Sequence, residues 1–424
     1  MKSLKTDGAC GRSRSLSRVS RLTGLLLAIG LVLAACASEE DPAEAEQDAV
    51  AAGAEDDGEA DAEADVTDTT EPDEDEDPAS QVTEEPVLDD EYSQEMRRAS
   101  DITVDTSEYA ADPPYSIATI VQGPTNGWGT IFDAVMNHEL EQSGLIEDQL
   151  YVPWDFTTES QANGIDDAIS RGVDAILLTS LSRAGLADSV DRANEAGIPV
   201  ITCMAGVATE SYTVEVSRNM PAMGYSSAEW LAERLDGEGN IAMMHGIPGV
   251  DAAELWRDGA LAALEQYPGI EILAEDYANW SVADATTAMR TIMQQHPELD
   301  GLWFGGMEMA LGGVNAYIQD GREIPPIGGT GPANGFLRIA EEQDIEFFVS
   351  PFPPAGSQLC VETLFDVLDG EPVQKFIDVK DLMDGTAPFG TGHPEAEYLP
   401  QFDDEFIGPV VVDESVYLDA GFGS

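Results

Sequence analysis

Lysine is almost missing from this chain. Across 424 residues it occurs only at Lys2, Lys5, Lys375 and Lys380, and 19 basic residues face 82 acidic ones for a net charge of −63. A surface so poor in cations excludes nucleic acid as a partner, because phosphates would meet charge of their own sign. Histidine is as scarce: His138, His245, His296 and His393 are scattered and show no metal-ligand spacing, so no metal is expected. There is no Gly-x-Ser-x-Gly elbow, no Gly-Lys-Ser/Thr phosphate loop and no zinc signature, and Gly246-Ile-Pro-Gly249 has a phosphate loop's glycines without its lysine. These absences argue against an enzyme and against a bound cofactor. Cysteine occurs four times, and Cys203 and Cys360, far apart in sequence, read as buried free thiols although an exported setting permits a disulfide.

The chain also lacks an apolar run long enough to span a bilayer. Its longest, Leu22–Ala35, follows Lys2, Lys5, Arg12, Arg14, Arg18 and Arg21, the pattern of a secretory leader. Leu33-Ala34-Ala35-Cys36 resembles a bacterial lipobox, which implies removal of residues 1–35 and a lipid on the Cys36 thiol. From Ala37 to Met96 there is no Lys or Arg, and about two dozen Asp and Glu are interspersed with Ala, Thr and Pro. Such a stretch buries too little apolar surface to offset the entropy of ordering, so residues 36–112 read as a lipidated, disordered acidic tether. The body beyond it is anionic too. A domain this acidic repels itself at low ionic strength, and a salt-rich habitat is the simplest explanation.

From Pro113 onward strands and helices alternate. Tyr115–Val121, Gln149–Pro153, Asp174–Thr179, Ile198–Cys203 and Tyr212–Val216 are strand candidates separated by amphipathic helices, one of them opened by a capping box at Thr158-Glu-Ser-Gln161. The rhythm restarts with strands at Asn240–His245, Ile270–Tyr277, Leu302–Gly305, Pro326–Gly329 and Glu346–Ser350, and Ser281-Val-Ala-Asp284 forms a second capping box. Continuous apolar strands joined by helices argue for parallel sheets covered on both faces. So many units exceed one comfortable core, and two lobes are expected. In open sheets of this kind ligands bind beyond the carboxyl ends of the strands.

Arg171-Gly-Val-Asp174-Ala-Ile-Leu-Leu and Ala193-Asn-Glu-Ala-Gly197-Ile-Pro-Val-Ile-Thr202 resemble the N-lobe of type I periplasmic binding proteins, the ribose-type sugar-binding subunits of ABC importers. Gly246-Ile-Pro-Gly249-Val-Asp-Ala-Ala, Asp258-Gly259-Ala-Leu-Ala-Ala-Leu, Tyr267-Pro-Gly-Ile-Glu-Ile-Leu-Ala274, Tyr277-Ala-Asn-Trp280, Glu308-Met-Ala-Leu-Gly312 and Gly370-Glu-Pro-Val continue the resemblance in order. The resemblance implies an α/β fold of two Rossmann-like lobes with parallel sheets joined by hinge strands. The N-lobe would take residues 113–218 with about 351–379, and the C-lobe residues 219–350 with about 380–424. A solute touching both lobes would stabilise their closure.

Carried over position by position, the resemblance implies a cleft lined by Asn126, Trp128, Met204, Glu254, Trp280, Met307, Thr330 and Phe352. Several of these depart from the sugar-binding pattern. The family's Asp-Arg clamp falls on Met204-Ala205, its arginine on Glu254, and its Asn-Asp pair on Gly306-Met307. Trp128, Trp280 and Phe352 around Glu254 would suit a more apolar ring or an amine, whereas Met204 and Met307 as packing residues and Glu254 facing solvent is the plainer alternative. Trp154, Trp230, Trp256 and Trp303 read as core or surface. The expected protein is a monomeric substrate-binding lipoprotein facing the periplasm or cell exterior. It would deliver a small solute to an ABC permease of the cytoplasmic membrane, with a solute-sensing lipoprotein of the same fold as the alternative.

Overall fold

Tyr92, Met96 and Ala99 recur at helical spacing and form the buried face of the first helix, α1 (Glu91–Ser100), which Asp90 caps by accepting from the Ser93 N–H. The computed structural model describes residues 86–383, 389–391, 397–410, 414–419 and 422. The leader, Cys36 and most of the acidic stretch therefore lie outside the described residues. The reading of residues 36–112 as a tether is corrected at its far end. There α1, strand β1 (Thr103–Val104) and the 3₁₀ turn Ser107–Tyr109 pack on the body, with β1 pairing antiparallel to β12 (Val373–Gln374). Averaged composition hides this helix, because a narrow apolar stripe suffices to dock it while its other faces stay polar and charged, with Glu91, Glu95, Arg97 and Arg98.

The next strand, β2 (Tyr115–Val121), shows why the first sheet forms. Ile117 and Val121 pack on one side and Ala118 and Ile120 on the other, all fully buried. A strand apolar on both faces needs helices above and below it. β2 is flanked by β3 (Ile146–Pro153) and β4 (Ala175–Leu178), and the sheet continues through β5 (Val200–Cys203) and β6 (Val214–Ser217) to β13 (Phe376–Asp378), every pairing parallel. Helices α2 (Gly127–Ser143), α3 (Thr158–Arg171) and α4 (Arg183–Glu195) connect the strands. The capping box expected at Thr158 sits one residue earlier: Thr157 accepts from the Ser160 N–H. Gln161 turns inward instead, donating to the Thr179 carbonyl and accepting from the Leu181 N–H.

The second sheet repeats the plan. β7 (Glu238–His245) lies between β8 (Gly269–Tyr277) and β9 (Gly301–Phe304), followed by β10 (Ile327–Thr330) and β11 (Phe347–Ser350), with β14 (Phe389–Gly390) antiparallel at the edge. Around it run α5 (Met220–Arg234), α6 (Asp251–Leu264), α7 (Val282–Gln295), α8 (Met307–Asp320) and α9 (Asn334–Gln343). Ser281 caps α7 at the position its capping box predicts. Helix α10 (Gly356–Asp369) returns to the first lobe and packs on β5 and α2. In both lobes the strand next to one edge, β2 or β7, is the point at which strand order reverses, where such sheets open a crevice.

The chain crosses between lobes after β6, after β11 and after β13. Arg218, fully buried, ties the crossings together: its guanidinium donates to the Pro351 carbonyl and lies 4.0 Å from the Asp378 carboxylate. Burial pushes its pKa down to about 10, and Asp378 opposes the shift. Helix α1 seats on the same pivot. The Tyr92 hydroxyl donates to Glu215 at 3.0 Å and to the Arg218 carbonyl at 3.3 Å, and the Ser93 hydroxyl donates to Asn219, the cap of α5.

Candidate functional site

Both sheets end at one narrow cavity, whose empty space is about 550 Å³ counting its open mouth. From the first lobe, Gln122, Asn126 and Trp128 follow β2, Trp154 follows β3, Thr179 follows β4, and Met204 and Ala205 follow β5. From the second, Ala252 and Trp256 project from α6, Trp280 follows β8, Gly306 and Glu308 follow β9, Thr330 ends β10, and Phe352 follows β11. Apart from Ala252 and Trp256, these positions lie at or shortly past a strand's carboxyl end, the geometry that places ligand sites in such folds.

Aromatic rings make the walls. Trp128 stacks on Phe132 at 5.0 Å and on Phe352 at 5.6 Å, and its indole N–H donates to the Phe352 carbonyl at 2.8 Å. Trp256 stands edge-on to Phe352 at 5.5 Å and to Trp280 at 6.2 Å. Trp280 takes a left-handed backbone, φ 50°, and Met204 another, φ 61°, unusual for side chains of this size. A Cβ on Gly246 or Gly306 would come within 2.1 or 2.7 Å of the Trp280 indole, so these two glycines make room for that ring. The asparagine that the resemblance implies at Gly306 would clash with that ring.

Three residues that line the cavity each carry a polar atom that is buried without a hydrogen-bond partner among the described residues: Thr179 Oγ1, Trp256 Nε1 and Thr330 Oγ1. Leaving such a group unpaired costs about 1–3 kcal/mol each, a standing cost that a ligand can relieve. Glu308 is the one ionisable side chain lining the cavity among the described residues. Burial pushes its carboxyl up to about 7, partly opposed by the backbone N–H groups of Glu308 and of Trp128 in the other lobe.

The two lobes also meet directly at this cavity. The Asp251 carboxylate, at the start of α6, accepts from the Arg183 N–H, and the Asp251 N–H donates to the Leu181 carbonyl at 3.3 Å. Asp251→Ala removes the charged half of this bridge, and solute dissociation should accelerate about tenfold, since a hydrogen bond to a charged group contributes about 1.5–3 kcal/mol. Stopped-flow tryptophan fluorescence measures this, and an unchanged rate would show that the bridge does not hold the lobes together.

Of the eight residues expected in the cleft, Asn126, Trp128, Met204, Trp280, Thr330 and Phe352 line the cavity and two do not. Glu254 is corrected. Its carboxylate accepts from the Tyr277 hydroxyl at 3.0 Å and from the Gly249 N–H, because α6 turns Ala252 and Trp256, one helical turn apart, toward the cavity and Glu254 away from it. Met307 is corrected too: it is fully buried, with its thioether close to Gly329, and the next residue of α8, Glu308, takes the wall. Trp154 and Trp256, read as core or surface, line the cavity, whereas Trp230 and Trp303 are core. Trp154 was open to discovery from sequence, since it follows a strand end just as Trp128 and Trp280 do. Cys203 and Cys360 are free and buried. Among the described residues no His, Cys, Asp and Glu group is arranged to hold a metal, and no helix is long and apolar enough to cross a membrane.

The family profile described as periplasmic binding protein domain matches residues 117–372, which take in both sheets apart from their edge strands β13 and β14, and the crossings up to α10. The chain is a type I periplasmic binding protein. It is 26% identical over 220 residues to the ribose import binding protein of Bacillus subtilis, covering 52% of this chain and 71% of the relative. It is 32% identical over 171 residues to the xylitol-binding protein of Mycolicibacterium smegmatis, covering 40% and 49%. Among solved structures it resembles an ABC transporter solute binding protein from Mycobacterium smegmatis with bound glycerol, at a TM-score of 0.60, 22% identity and coverage of 70% of this chain and 99% of that one. One from Bacillus halodurans with bound myo-inositol gives a TM-score of 0.59, 21% identity and coverage of 68% and 97%. A periplasmic binding protein serves as a solute-binding transport component, not an enzyme, and its two sheets account for the pairing of strand ends at one cavity.

Proposed function

We propose that this protein captures a small, uncharged, polyhydroxylated solute, a sugar or polyol, between its closing lobes. It hands that solute to an ABC permease while a lipid on Cys36 holds the monomer at the membrane in a salt-rich setting. The observation that carries the solute class is the set of three unpartnered polar atoms, Thr179 Oγ1, Trp256 Nε1 and Thr330 Oγ1, belonging to residues that line both sides of an aromatic-walled cavity. Ring faces suit the C–H side of a sugar or polyol, and the unpartnered atoms suit its hydroxyls. No lining side chain among the described residues is cationic, so a carboxylated or phosphorylated solute would be buried unpaired. Relatives named for ribose and xylitol support the same class. The expectation of an amine ligand rested on Glu254, and it loses that support.

Thr330→Val tests the reading through two opposite effects. Removing an orphaned hydroxyl while keeping the shape should raise the melting temperature of the solute-free protein by about 2–4 °C. The same change should weaken binding of xylitol or myo-inositol about tenfold, by calorimetric titration in concentrated NaCl. Undiminished affinity in the variant, or no binding of any sugar or polyol by the native protein, would overturn the assignment.

A further inference from the structure

The chain beyond the family match builds a second wall. Residues 397–410 are fastened to the second lobe by Asn334, whose side-chain amide donates to the Leu399, Phe402 and Asp403 carbonyls at 3.0–3.1 Å and whose oxygen accepts from the Leu399 N–H at 2.9 Å. Arg338 adds a two-pronged pair to Asp404 at 3.0 and 2.7 Å, and Ile407 bridges antiparallel to Ala333. This anchoring is dense and belongs wholly to one lobe.

The other side of the segment meets the opposite lobe. The Glu405 carbonyl presses on Gly127, the first residue of α2, so closely that a Cβ there would come within 2.4 Å of it. Phe402 and Phe406 stack at 4.0 Å, and Tyr417 of α11 (Glu414–Asp419) stands edge-on to both, with α11 lying along α2. Between the anchor and this far contact, Ile407 is buried and forms part of the cavity wall. A segment held by one lobe, resting on the other and contributing a side chain to the space between them has the geometry of a lid.

We propose that residues 397–410, with α11, are a lid that rides on the second lobe, closes over the cavity when the lobes meet and limits its length at Ile407. The cavity then admits solutes the size of a single sugar ring or short polyol, and excludes glycosides and disaccharides whose second unit would have to pass through the lid. Release requires the lid to lift from α2. This inference rests on the cavity being the solute site, but the lid itself can be tested without any solute.

Four of the six tryptophans line the cavity, so acrylamide quenching of their emission reports its access to solvent. Gly127→Ala places a methyl against the Glu405 carbonyl and should displace the lid from α2, raising the quenching constant of the solute-free full chain about twofold or more. Asp404→Ala, which loosens the anchor on the second lobe, should do the same if Gly127→Ala fails to fold. Native-like quenching in folded forms of both variants would overturn the proposal. Raised quenching in a protein that binds neither xylitol nor myo-inositol would sustain the lid while removing the solute reading.

Discussion

Arg218→Met is expected to cost this protein about 3–5 kcal/mol of stability, the usual consequence of removing one member of a buried charged network. The arginine is wholly buried where three crossing strands converge, donating to the Pro351 carbonyl and facing Asp378 across 4.0 Å. Methionine can fill the volume of the stem but offers nothing to that carbonyl or to that carboxylate. It also loosens the floor beneath α1, whose Tyr92 hydroxyl donates to the Arg218 carbonyl. Denaturant unfolding at fixed high salt measures the loss. A change below about 1 kcal/mol would mean that the crossings are held by packing alone.

The second large effect is a fall in stability as pH rises from 5 to 8. Glu215 is wholly buried and Glu308 keeps only 9% of its surface exposed, and burial pushes each from the ordinary carboxylate range up to about 7. At Glu215 the Arg183 guanidinium and the Tyr92 hydroxyl pull the other way, and Glu95 adds to the rise. The unfolded chain gives up these protons near pH 4.5, whereas the folded chain keeps them to about 7. Below the unfolded value neither state gains an advantage and the full stability is present. Between the two values the unfolded state ionises first and stability drains away, by up to about 3 kcal/mol per group, and above 7 the loss stays constant. Melting temperatures in concentrated NaCl, where surface repulsion is screened, should therefore be higher at pH 5 than at pH 8. Glu215→Gln and Glu308→Gln should each flatten the slope, and a melting temperature that climbs with pH would refute the argument.

Much of the architecture was readable in the order of residues, because a strand such as Ala175–Leu178 is apolar on both faces and has no other stable place than a covered parallel sheet. Trp128 and Trp280 were readable for a related reason: a large ring just past a strand end stands where such sheets bind ligands. Glu254 and Met307 were misread because the direction in which a helix points its side chains depends on how it lies against its sheet, and a carried-over position does not specify that. A shift of one or two residues along a helix moves a side chain from the wall to the core or to solvent. The left-handed turns at Met204 and Trp280 had no local sign, since neither residue is one that favours that backbone. Helix α1 vanished into an acidic average. The lid shows no periodicity of its own, and it is held by Asn334, more than sixty residues earlier in the chain, so only the folded arrangement reveals it.

The seat of α1 has a mechanical consequence. The chain enters the folded body against Arg218 and Asn219, at the crossings between the lobes, so under the proposed closure a pull from upstream would act where the displacement is smallest. Traction from upstream would then have almost no lever arm to pry such jaws apart or force them shut, and the proposed bite would stay governed by its cargo.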